Sequence, residues 1–166
     1  MPASDPHEIH FDGVRVHYRS AKSYQQLVAA LLAEVGERPV PIDDFPRMFD
    51  SWQSYQQQVQ SRLGPSGFML FTLFDHGGWI TKAGIDRNVL RAIIGNPLIA
   101  ITMLRHDVTA GLFAPVEVLL VDDGDGSSLL YVKPSSLMVV DHNPALLAAA
   151  RELDDKLAAL AATVTA

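Results

Sequence analysis

An acid and an imidazole stand side by side at Asp75-His76, where the apolar run 68–74 stops ("FTLFDHGGW"). Histidine changes charge near neutral pH, so His76 can serve as a general acid or base, with Asp75 or Asp86 as helper. Side chains of adjacent strand residues point to opposite faces. Asp75 therefore reaches His76 only where the chain turns, and Gly77-Gly78 make a turn easy. The competing reading is local: Asp75 accepts backbone N–H bonds in an Asx-type turn. Phe74 and Trp79 flank the pair and are candidate ligand contacts.

Gly95-Asn96-Pro97 joins a strand to a helix start. Free N–H groups and the helix dipole make such a junction a generic anion site, although Pro97 removes one donor. An ordinary Asn cap ahead of proline is the alternative. Gly95, Asn96 and Pro115 join the candidate ligand contacts. "DDGDG" holds Asp122, Asp123 and Asp125, but without the spacing and terminal Glu of an EF-hand it reads as a hairpin turn. The histidines at 7, 10, 17, 76, 106 and 142 are scattered, and no tight ligand motif is present. No metal site is expected, with one arrangement left open, a site assembled across the fold from His17 and His76. Lys133-Pro134-Ser135-Ser136 reads as a strand-ending turn, not a Ser-Lys pair. Neither G-x-G-x-x-G nor a P-loop occurs, and no cofactor is expected.

These residues need elements to position them. Val14, Val16 and Tyr18 alternate with Arg15, His17 and Arg19, which predicts a half-buried strand. Tyr24, Leu27, Val28, Leu31, Leu32 and Val35 form a helical stripe, capped at Ser20 or Ser23 and closed by Gly36. Residues 37–66 are a variable connection, with prolines at 39, 41 and 46 and a short helix carrying Trp52, Tyr55, Val59 and Leu63 on its apolar face. Residues 68–74 are apolar on both alternating sets, so that strand is covered on both faces or lies at an interface. Residues 76–88 connect it to a second apolar strand, 89–94. A helix begins at Pro97, and strands 116–121 and 128–133 form a hairpin around the Asp-Gly turn. After Asn143-Pro144, the residues Leu146, Ala150, Leu153, Leu157, Leu160 and Val164 make a heptad seam that docks on the sheet or pairs with a second copy. The order β-α-(α)-β-β-α-β-β-α predicts an α+β fold, an antiparallel sheet with helices packed on one side. Residues 1–13 read as a tail and 14–166 as one domain.

The chain has 166 residues, 48% of them hydrophobic, no cysteine and a net charge of −6. That length buries enough surface to fold without metal or disulfide. The missing cysteines remove thiolate chemistry and Cys-ligated metals. Without a basic cluster, nucleic acid and anionic membrane surfaces are poor partners. No apolar run is long enough to span a membrane, no secretory signal opens the chain, and a cytoplasmic location is expected.

"FDHGGW", "IIGNPLIAITML", "GLFAPVEVLLVDDGDG" and "LLYVKPSSL", in this order, resemble the domain of unknown function 302 family. The similarity runs from about residue 14 to 160, with 37–66 least typical. The resemblance implies a small antiparallel α+β domain of TATA-binding-protein-like shape, often paired as a dimer. It singles out Asp75, His76, Ala83, Gly84, Gly95, Asn96, Pro97 and Pro115, and it brings no activity. Gly77-Gly78-Trp79 departs from the small residues common after the Asp-His pair.

Three functions follow as expectations. The first is a domain that binds a small apolar or amphipathic ligand in a sheet-lined cleft. The second is a cofactor-free acid/base enzyme of isomerase or lyase type using His76 and Asp75. The third is a homodimeric interaction module whose apolar strand is the seam.

Overall fold

The computed structural model describes residues 5–166, so residues 1–4 of the expected tail lie outside the described residues. The alternation at the start of the domain forms strand β1 (Arg15–Ser20). Helix α1 (Tyr24–Val35) opens with a capping box in which Ser23 accepts from Gln26 N–H and the Gln26 side chain accepts from Ser23 N–H. The connection that follows holds helices α2 (Phe45–Met48) and α3 (Trp52–Gln60), the latter capped by Ser51. Strand β2 (Met69–Asp75) leads into a one-turn helix, α4 (Gly77–Ile80), and a 3₁₀ turn, within what the sequence presents as a plain connection. Strand β3 (Val89–Gly95) and helix α5 (Pro97–Leu104) come next. The hairpin of β4 (Val116–Asp122) and β5 (Ser127–Val132), then helices α6 (Pro134–Met138) and α7 (Pro144–Thr165), complete the chain.

The five strands form one antiparallel sheet in the order β1-β5-β4-β3-β2. Helices α1 and α7 cover one face. Leu27, Leu31 and Val35 of α1 meet Leu90, Ala92, Ile94, Val118, Leu120 and Leu129 of the sheet in the main core. The α7 seam, Leu146 through Val164, is buried in that same core, so it docks on its own sheet. Each leucine buried this way contributes about 1.5–3 kcal/mol.

The apolar run that becomes β2 lies at an edge of the sheet, not in its interior. Its two apolar sets have separate partners. Leu70 and Leu73 join the main core. Met69 and Phe71 join a second cluster with Phe45 and Val59, supplied by the 37–66 connection. A bulge between Leu70 and Thr72 shifts the register where the partners change.

Among the described residues no helix lies over the centre of the other sheet face. By strand alternation it presents Arg15, His17 and Arg19 of β1, Leu130 and Val132 of β5, Glu117 and Leu119 of β4, and Arg91 and Ile93 of β3. Its leucines are half-buried, and Arg15, His17, Arg19 and Glu117 are exposed.

Candidate functional site

Asp75 and His76 sit at the end of β2, and the chain does turn between them. The turn uses the carboxylate. Asp75 Oδ1 accepts from Gly78 N–H at 3.0 Å, and the His76 carbonyl accepts from Trp79 and Ile80 N–H. A Cβ on Gly78 would lie 2.8 Å from Asp75 Oδ2 and displace that carboxylate, and a Cβ on Gly77 would press on the backbone of residues 87–89 at 3.1 Å. Among the described residues no hydrogen bond joins Asp75 to the His76 ring. That ring meets Trp79 edge to face at 6.2 Å, while Trp79 itself is 60% exposed. On the helix-covered side, burial first, and then the charges of Asp75 and Asp122, push the Tyr24 phenol above its ordinary value.

Gly95, Asn96 and Pro115 lie at the opposite end of the sheet. The register pairs Asp75 with Leu90 and Met69 with Gly95, which separates the two ends by about 20 Å at the usual rise per strand residue. The expected ligand contacts are therefore two groups, not one site. Asn96 is a cap: Oδ1 accepts from Leu98 N–H and Nδ2 donates to the Gly67 carbonyl, both at 2.9 Å. Its amide is satisfied within the fold. Gly95 is glycine because Phe71 and Pro115 crowd it; a Cβ there would lie 2.8 Å from Phe71 Cε2. Packing explains this glycine without an anion.

His17 and His76 stand on opposite edges of the five strands, about 19 Å apart at the usual strand spacing. They cannot share a metal ion. His17 has another partner, its Nε2 lying 2.8 Å from Ser128 Oγ, and that hydroxyl donates to Asp123. A hydroxyl carries one proton, so His17 must offer Nε2–H to Ser128. Ser128 is thus tied to a carboxylate and is not activated by the imidazole. At the hairpin, hydrogen bonds from Asn88 Nδ2 and Gly124 N–H, aided by Arg87, hold the Asp122 carboxyl below the usual carboxylate range.

A hollow lies on the uncovered sheet face. It measures about 300 Å³ and is lined by Leu119, Leu130 and Val132, with Arg15, Arg91 and Glu117 at its edges. A second hollow of about 140 Å³ shares Arg91, Glu117 and Val132 and extends the groove to Pro115, Phe113 and Leu137. Arg91 is ion-paired with Glu117 and lies 5.8 Å over the Phe74 ring. Of the expected ligand residues, Pro115 lines this groove and Phe74 borders it through Arg91. Asp75, His76 and Trp79 line neither hollow. A separate, more open groove of about 470 Å³ runs between α3 and α5, past Trp52, Tyr55 and Ile101.

Sequence motifs do not single out Arg15, Arg91, Glu117, Leu119, Leu130 or Val132 as site residues. A signal exists in "VLRAII" and "VEVLLV": each strand is apolar on both faces except for one charge, and the two charges are opposite. Two apolar faces on neighbouring strands, with helices enough for one, imply an uncovered apolar surface.

No curated protein matches the chain. A solved structure, of an uncharacterized conserved protein DUF302 from Bacillus stearothermophilus, superposes with a TM-score of 0.64 at 16% identity, covering 90% of this chain and 97% of that one. At that identity the likeness is one of fold. The family model described as "Domain of unknown function DUF302" matches residues 47–164, so β1 and α1 fall outside the matched span although the solved relative covers most of the chain. With well over half of its length matched, the chain belongs to the DUF302 family.

Proposed function

We propose that this protein binds a small amphipathic molecule in the groove on the uncovered face of its sheet. The observation that carries this reading is the groove of about 300 Å³ floored by Leu119, Leu130 and Val132 and edged by Arg15, Arg91 and Glu117. Apolar walls with a few polar groups at fixed positions are the usual make-up of a ligand site, and this volume suits a small ligand. The strands supply a rigid floor, and the Arg91–Glu117 pair fixes one edge.

A thermal-shift screen of short-chain amphiphiles tests the reading. A ligand at a hundred times its dissociation constant adds about 2.7 kcal/mol of stability. The wild type should be stabilised, and a variant with Leu130→Glu in the floor should not. Absence of any shift, or an equal shift in Leu130→Glu, would remove the groove as the site. A protein that dimerises through this face and binds nothing would return the interaction-module reading.

A further inference from the structure

We propose that the ligand is a single-chain amphiphile with an anionic head, and that Arg15 receives the head. This rests on the groove reading above and adds the chemical class. The chain as a whole carries −6, yet its uncovered sheet face gathers Arg15, Arg19 and Arg91. Their charges are not equivalent. Arg91 is neutralised by Glu117. Arg15 lines the groove and is exposed, and among the described residues it makes no ion pair. Among the described residues the only carboxylate lining the groove is that of Glu117, already engaged by Arg91. A cationic head would find no available anion there and would meet Arg15. An anionic head finds a guanidinium, which binds carboxylates through paired N–H donors.

The tail has a defined course. Arg15 stands opposite Val132 in the strand register, and Val132 lines both hollows. From Arg15 an alkyl chain passes over Val132 and lies against Leu130 and Leu119 or turns toward Pro115 and Leu137. A second copy of this chain fits less well as the occupant. Face-to-face pairing would bring the Arg15 guanidinium groups of two molecules onto one small surface, with no unengaged carboxylate among the described residues that line the groove.

Titration calorimetry with octanoate, 1-octanol and octyltrimethylammonium separates the possibilities, because the three share one tail. Octanoate should bind the wild type roughly tenfold tighter than octanol, the range of one charge-assisted contact. That preference should shrink as salt is raised. Arg15→Gln should abolish the preference while still binding octanol, and Arg15→Lys should restore part of it. Arg19→Gln, on the same strand face outside the groove lining, should behave as wild type. Octanol or the ammonium compound binding as tightly as octanoate would overturn the anionic class and leave the groove reading standing. So would a preference that survives Arg15→Gln. Failure of all three compounds to bind would overturn both.

Discussion

The Asp75 carboxylate caps a turn, and its replacement should be felt in stability. Asp75→Ala removes the acceptor for Gly78 N–H and should cost about 1 kcal/mol, with Asp75→Asn costing less because an amide oxygen still accepts. Urea denaturation of the two variants measures the difference. Asp122 offers a pH-dependent counterpart. Its carboxyl is held low chiefly by the Asn88 side chain. A depressed carboxylate contributes stability that is present above the unfolded-state value, about pH 4, and is lost as pH falls through the lower folded value. Asn88→Ala removes the main cause. The variant should therefore be less stable than wild type at neutral pH, and the gap should close in acid, as acid titration of both proteins would show. At this scale the sequence offers residue types and leaves their partners open. The spacing of Asp75, Gly77 and Gly78 is compatible with a catalytic pair and with a turn. The choice depends on where Gly78 N–H points, a property of the folded backbone.

The final helix makes the same point for elements. Its heptad pattern is readable from residue 146 to 164, but a heptad seam serves equally for docking and for pairing. Burial of Leu153, Leu157 and Leu160 against the sheet assigns it to docking. Leu157→Ala should then cost about 2–5 kcal/mol, and the loss should be the same at every protein concentration. A midpoint that moved with concentration would instead mark the seam as intermolecular. Residues 37–66 carry a weaker signal. Their prolines suggest a connection and their spacing a short helix with Val59 on its apolar face; the structure adds that Phe45 and Val59 build a second cluster over Met69. The doubly apolar strand signalled that something must cover its second side. It could not signal that the cover would come from the preceding connection, because this contact is made only after the chain has folded back over β2.

At the scale of the molecule the fold is one-sided: helices cover one face of the sheet and leave a groove on the other. Antiparallel sheets tolerate this arrangement, so element order alone predicts the architecture. It does not predict what the uncovered face holds, since that depends on strand order: the β4–β5 hairpin is local, but β3 and β1 join it only through pairings distant in sequence. Neighbouring residues of β4 give a direct test. Leu119 and Leu120 have the same side chain and point to opposite faces. Leu120 is fully buried under the helices, whereas Leu119 is half-buried in the groove. Leu120→Ala should cost about 2–5 kcal/mol, since its packed surroundings cannot collapse completely around the lost atoms. Leu119→Ala should cost less than about 1.5 kcal/mol, because solvent can fill the space it leaves. The order should reverse for ligand binding: Leu119→Ala weakens octanoate by removing floor contacts, and Leu120→Ala, where it remains folded, leaves the affinity near wild type. Equal stability losses at the two positions would mean that the second face is covered in solution, and the groove would then be part of an interface between molecules.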